Sequence, residues 1–336
     1  MLILNLKSTG PFIALCLVFL LGVFVNEAFL SSGNLANILA RSSFIGIVAV
    51  GATFVITAGG IDLSVGSMAA FISGCMILLM NALHQSINSI SIIICVAVFA
   101  SIAMGLLAGL INGLLTTKAR IEAFIVTLGT MGIYRSLVTF MADGGTLSLS
   151  FTINDVYSNV YYSDFLGIPY PVWVFFSLAG LAFVLMNKTI FGRHLFAVGS
   201  SEKVALYSAI DTEKIKIFAF MIQGFCVSIA TIIYVPRLGS ASGQTGVLWE
   251  LEAIAAVIIG GTALKGGYGR VWGTVAGALI LTLIGNILNL TDMVSNYLNG
   301  AVQGLIVIAA VVIQQRNGVQ AESLALSGFV VLRRLT

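Results

Sequence analysis

The chain has 336 residues, of which 59% are hydrophobic and only 9% charged, with a formal net charge of +3 and a mean hydropathy of +1.07. Soluble globular chains carry about 25% charged residues, so this composition excludes one and predicts a polytopic membrane protein. The basic residues are spread along the chain instead of clustering on one segment, which excludes a nucleic-acid surface.

Apolar runs close to the ~20 residues that cross a bilayer fall at about 11–30, 43–58, 63–83, 90–116, 122–141, 171–187, 215–236, 250–264, 271–290 and 298–314. They predict an all-α protein of about ten transmembrane helices in a single domain over 1–318. The run from 250 is short, and 43–83 reads either as two spans or as a broken, re-entrant pair. Lys7 and the first run are arranged like a signal peptide, but no A-x-A site follows, which predicts an uncleaved anchor. With the N-terminus inside, thirteen of the sixteen basic residues are cytoplasmic and only Arg41, Arg135 and Arg237 fall outside. The positive-inside rule therefore places both termini in the cytoplasm.

The four cysteines (Cys16, Cys75, Cys95 and Cys226) all lie in apolar runs without CxxC or metal-ligand spacing, so they read as small buried hydrophobes. Small-residue pairs inside the runs (Gly105 and Gly109, Gly129 and Gly132, Gly273 and Gly277) predict close helix packing. The longest external segment is 142–170, and 237–249 is a second, rich in Gly and Ser. The tail 319–336 regains an apolar stretch ending in Arg333 and Arg334; it either lies on the inner leaflet or has no fixed structure.

One long polar interruption, 189–216, divides the chain. From Lys188 to Lys216 there are five basic residues (Lys188, Arg193, Lys203, Lys214, Lys216) and three acids (Glu202, Asp211, Glu213). Gly199 can break the chain direction, Ser200 or Ser201 can cap a helix, and Glu202 suits a helix N-terminus. A short helix over about 201–210 is expected. Ala205, Leu206, Ala209 and Ile210 would face the protein, and Glu202, Lys203, Tyr207 and Asp211 the other side. Spacing alone leaves open a solvated loop helix or a docking helix for a cytoplasmic partner.

Two glycine-rich breaks flank the interruption. TAGGIDLSVGS (57–67) holds Asp62, the sole ionised side chain between Arg41 and Lys118. Asp62 or Ser64 would cap the next helix while Gly59, Gly60 and Gly66 permit the turn; the alternative is a gate or a transporter's broken helix. GGTALKGGYGR (260–270) is the second break. Its surroundings correspond loosely to the first, which predicts a weak pseudo-repeat of two halves, about 43–141 and 250–314. Neither break contains a P-loop, so any nucleotide is bound by another chain.

Catalytic motifs are missing, His84 and His194 have no nucleophile or metal motif near them, and neither metal nor cofactor is expected. The deep spans instead offer Asn112, Tyr134, Gln223, Asn286 and Gln303 as candidate pathway residues, polar but neutral, which suits a neutral polar solute. Each is also an ordinary interhelical hydrogen-bonding group. A coupled importer subunit and an autonomous secondary carrier are the rival functions; a membrane-embedded enzyme lacks residues to work with.

The blocks NLANIL, VITAGGIDLSVGS, RIEAFIVTLGTMGIYRS, FGRHLFAVGSSEKVALYSAID with KIKI, ELEAIAAVIIGGTALKGGYGRVWGTVAGALIL and ILNL run in order over about 34–315. In them the chain resembles the membrane permeases of bacterial sugar ABC importers of the ribose, xylose and galactose type, most of all the ribose type. The resemblance implies a vitamin B12 permease-like fold in the bacterial inner membrane and a second permease copy. It also implies a cytoplasmic ABC ATPase and a periplasmic sugar-binding protein. It favours the docking role for Gly199, Ser200, Ser201, Glu202, Lys203, Ala205, Leu206, Tyr207 and Asp211. The tail beyond 318 departs from the family pattern.

Overall fold

The computed structural model describes residues 6–291 and scattered positions from 298 to 312. Gln303 and the tail 319–336 lie outside the described residues, as does about half of the run 298–314. Helix α1 is Leu6–Val25, followed by a short 3-10 turn at Glu27–Leu30 and by α2, Ser32–Thr57. Asn26 and Ser31 set these starts, because their side-chain oxygens accept the free N–H groups of Ala28 and Asn34. The next helices are α3 (Val65–Leu83), α4 (Ile90–Thr117) and α5 (Ala123–Met141).

The long segment after α5 is not irregular. It folds into β1 (Thr146–Ser148), α6 (Phe151–Tyr157), α7 (Asn159–Tyr162), β2 (Asp164–Phe165) and β3 (Ile168–Pro169). Beyond it come α8 (Tyr170–Lys188), α9 (Ile190–Ser200), α10 (Glu202–Tyr207), α11 (Thr212–Leu238), β4 (Ser240–Ser242), α12 (Trp249–Ile259) and α13 (Val271–Thr291). β1 pairs antiparallel with β4, Leu147 opposite Ala241, and β2 pairs with β3. Tyr157 anchors this cap by donating its buried hydroxyl to the Ile232 carbonyl at 2.6 Å.

Among the described residues seven helices (α2, α3, α4, α5, α8, α11 and α13) are long and apolar enough to cross a membrane. The chain is thus a mostly helical, multi-pass membrane protein. The run at 250–264 becomes α12, an 11-residue helix. At 1.5 Å per residue it covers only about half of a ~30 Å hydrocarbon layer.

α2 is the central helix: from Ser42 to Thr57 every residue is buried, and α8, α11, α12 and α13 pack around it. α11 lies along both α2 and α4. Its approach to α4 is set by small residues, since a Cβ on Gly105 or Gly109 would collide with the carbonyls of Gly224 or Phe220. A Cβ on Gly273 or Gly277 would likewise strike Gly260 or Ala256. Gly129 and Gly132 differ from this expectation, for nothing lies within 4 Å of either position. The cysteines are free, but Cys16 and Cys95 face outward and only Cys226 is fully buried. A thiol is apolar enough for a lipid-facing position, so burial is not required of it.

Candidate functional site

The polar interruption is two helices, not one. Thr189 caps α9, its hydroxyl accepting from Gly192 N–H at 3.2 Å, and Ser201 caps α10 by accepting from Val204 N–H. Ser200 is not a cap; its hydroxyl turns back to the Phe196 carbonyl at 2.8 Å. Gly199 does not break the chain either, since it lies inside the last turn of α9.

α10 stops three residues earlier than its spacing suggests, because Ala209 takes a left-handed conformation (φ 59°). Ala209 N–H then bonds to the Leu206 carbonyl and Ile210 N–H to the Ala205 carbonyl, which closes the helix end. Ala205 is buried, but Leu206 is 61% and Tyr207 87% exposed. The expectation that Leu206 and Ala209 face the protein is therefore wrong. With Val204, also exposed, Leu206 and Tyr207 put three large apolar groups on the outside of a six-residue helix.

Lys203 points outward beside them, as expected, but Glu202 does not stand free for a partner. Its carboxylate binds Lys216 at 2.6 Å and ties α10 to α11. Asp211 starts α11 instead of lining α10: it accepts from Lys214 N–H at 3.1 Å and pairs with the Lys214 ammonium. These two hydrogen bonds hold its carboxyl below the ordinary aspartate value.

The two glycine-rich breaks meet at the C-terminal end of α9. Gly267 N–H donates to the Thr57 carbonyl at 2.9 Å, joining the loop after α12 to the end of α2. Gly199 is seated on this bond: a Cβ there would collide with both the Thr57 carbonyl and Gly267 N. Helices α2 and α12 enter the junction with the same capping geometry. Gly59 (φ 87°) and Gly261 (φ 85°) are left-handed, and the following N–H groups of Gly60 and Thr262 reach back to the carbonyls of Val55 and Val257. A groove of about 490 Å³ opens beside the junction, with Gly59, Gly60, Arg120, Glu202, Leu206 and Lys216 on its walls.

Beyond Gly60 an irregular segment leads to α3 and carries Asp62 into the interior, where it is 5% exposed. Neither Asp62 nor Ser64 caps α3 with its side chain. Asp62 Oδ1 instead accepts both Ser64 N–H (2.8 Å) and Ser64 Oγ–H (2.6 Å), an Asx turn that fixes the segment before the helix. Asn112 of α4 donates to Ser64 Oγ at 3.0 Å, and Thr127 of α5 both accepts from Leu63 N–H and donates to the Ile61 carbonyl. Gly66 serves close approach and not the turn, since its Cβ would strike the Gly246 carbonyl.

Of the candidate pathway residues, Asn112 joins this cluster, and Tyr134 of α5 is buried and stacked on Phe71 at 5.6 Å. Gln223 is buried on α11, its amide directed to the Val48 carbonyl at 3.4 Å. Asn286 is elsewhere. It exchanges amide hydrogen bonds with Asn34 (2.7 and 3.2 Å), clamping α13 to α2 beside a cavity of about 230 Å³ lined by Arg41, Tyr234, Arg237 and Trp249. The sequence reasoning missed Thr57, Thr127, Arg135, Glu250 and Gly267. Arg135 donates to the Gly243 and Thr245 carbonyls, holding the loop whose Gly246 meets Gly66, and the Glu250 carboxylate lies against Gly66 as well. A charged residue inside an apolar run was the available signal for Arg135 and Glu250; nothing marked Thr57.

Residues 34–311 match the family described as branched-chain amino acid transport system / permease component. The chain is 38% identical to the ribose import permease of Haemophilus influenzae, over 89% of this chain and 90% of that one. It is 38% identical to that of Escherichia coli K12 and 35% to that of Bacillus subtilis, each over 93% of this chain and 94% of the relative. No solved structure matches it. Seven helices long and apolar enough to cross a membrane, and a family match spanning almost all of them, lead to one conclusion: the chain belongs to this family of transport-system permease components.

Proposed function

We propose that the protein is the membrane permease of an ATP-driven importer for a monosaccharide, ribose or a closely related sugar, and that it forms the translocation pathway as one of two copies. The ribose import permeases that it matches over nine-tenths of their length support the sugar. A D-allose transport permease of Escherichia coli K12, at 33% identity, also supports a sugar as the solute. ATP is hydrolysed by a separate cytoplasmic ATPase, and a periplasmic protein delivers the sugar. About ten helices in a vitamin B12 permease-like arrangement, with both termini cytoplasmic, complete this reading. In it α2–α3 and α12–α13 are corresponding parts of two related halves, which the shared capping at Gly59 and Gly261 supports.

The observation that carries the coupling is Gly199, seated on the Thr57–Gly267 hydrogen bond. The ATPase docks on the exposed Val204, Leu206 and Tyr207. Any movement of α10 passes through α9 to both glycine-rich breaks at once, with no room to absorb it. Rebuilding the importer in vesicles tests the function: sugar accumulation requires ATP, the ATPase and the binding protein together. One observation favours an autonomous secondary carrier, namely the Asp62 and Glu250 carboxyls drawn into the interior. Uptake by the permease alone, without ATPase, establishes that carrier and overturns the importer.

A further inference from the structure

The β2–β3 hairpin carries an apolar tip where its turn chemistry calls for a polar one. Phe165 pairs with Ile168, leaving Leu166 and Gly167 as a two-residue loop, and both have positive φ (57° and 74°). Such a turn favours Asn or Asp at its first position, because a short polar side chain tolerates the left-handed conformation and a bulky one is strained in it. Here the position is Leu166, 79% exposed, next to Phe165 at 53%. Side chains this exposed make few contacts within the chain that could offset the strain.

The hairpin is fixed to the start of α8. Tyr170 N–H donates to the Ser163 carbonyl at 3.2 Å, and the Trp173 indole N–H donates to the Phe165 carbonyl at 3.2 Å, with the two rings edge to face at 5.9 Å. Trp173 lies in the first turn of α8, so Phe165 is held beside the start of that span and not beyond it. α8 buries Val172, Phe175 and Met186 and turns Trp173, Leu181 and Val184 outward. From Trp173 to Val184 this outward stripe is only about 17 Å long at 1.5 Å per residue, against a hydrocarbon layer of ~30 Å. Phe165 adjoins the stripe at its Trp173 end.

We propose that the β2–β3 hairpin is a membrane anchor: Phe165 and Leu166 insert between the acyl chains and headgroups of the leaflet at the N-terminal end of α8. Tyr170 and Trp173, both exposed, are the residue types that settle at that depth. The attachment is apolar. No Lys or Arg lies between Arg135 and Lys188, and the hairpin's one charge is Asp164, so it has no cation for an anionic headgroup. The anchor ties the cap, already held to α11 by Tyr157, to the bilayer as well. It depends on α8 crossing the bilayer and not on which solute is carried.

The test uses the full-length permease in phosphatidylcholine nanodiscs without anionic lipid. An NBD fluorophore is placed on Leu166→Cys or, for comparison, on the exposed Asp155→Cys, with the four native cysteines replaced by alanine. Doxyl-labelled phosphatidylcholine should quench the probe at 166 at least threefold more than at 155, and aqueous iodide should do the reverse. Leu166→Asn, in the otherwise native chain, gives the turn a residue it favours, yet its Tm should fall by about 2 °C or more as the tip loses its lipid contact. A Tm at or above wild type overturns the proposal, as does iodide quenching at 166 equal to that at 155. Shielding of 166 from both quenchers in the permease alone overturns it in favour of a second copy covering the hairpin. Iodide quenching at 166 that a periplasmic binding protein removes overturns it in favour of a docking surface for that protein.

Discussion

The junction of Thr57, Gly199 and Gly267 and the cluster of Asp62, Ser64 and Asn112 are both anchored on one short stretch of chain, Thr57 to Ser64, yet they are built by opposite means. The junction is backbone against backbone: its specificity is the absence of side chains, and its tolerance is set by sterics. The cluster is side chain against side chain, and its tolerance is set by how many donors and acceptors it can match. A contact of the first kind transmits displacement stiffly, because packed backbone has nowhere to yield. The second kind can keep its shape while its hydrogen-bond partners change. On the proposed reading, the rigid element stands where motion of α10 would enter.

The comparison breaks first at Gly199. Gly199→Ala puts a methyl group into the Thr57 carbonyl, so the junction must open, and a loss of about 3 kcal/mol or more of stability is expected, with sugar uptake reduced at least tenfold. Thermal unfolding and vesicle uptake measure the two. A neutral outcome in both would show that the junction is loosely packed. Next in size is Asn286→Ala, which strands the Asn34 amide and should lower stability by about 1 kcal/mol, with Asn34→Ala adding little in the double variant. Additive losses would mean that the two amides do not act as a pair. Smallest is Lys216→Ala, which frees Glu202 at a partly exposed ion pair and should change stability by less than ~1 kcal/mol. A larger change would move the 202–216 pair from surface trim into the machinery of the junction.

Much of the fold was legible in composition and periodicity: the apolar runs match α2, α3, α4, α5, α8, α11 and α13 because length and hydropathy alone decide them. Asp62 was visible as a lone charge, and Gly59 and Gly60 as a break. The orientation of α10 was not. Its end is fixed by a left-handed Ala209, and nothing in an alanine announces that conformation as a glycine would. Nor could spacing foresee that Thr57, Gly199 and Gly267, far apart in the chain, touch; only the packing of α9 between α2 and the loop after α12 brings them together. Gly199 was singled out for the wrong reason, as a chain breaker, when it is a point of closest approach.

The docking role of α10 is tested most directly by charging its exposed apolar face and asking what remains bound. In the double variant Leu206→Asp with Tyr207→Asp, both side chains are exposed and the permease should reach the membrane with its Tm unchanged. The expected result is that the ATPase no longer copurifies with the permease and that ATP-dependent sugar uptake falls at least tenfold. Full retention of the ATPase, with uptake at the wild-type rate, would contradict α10 as the place where the motion enters.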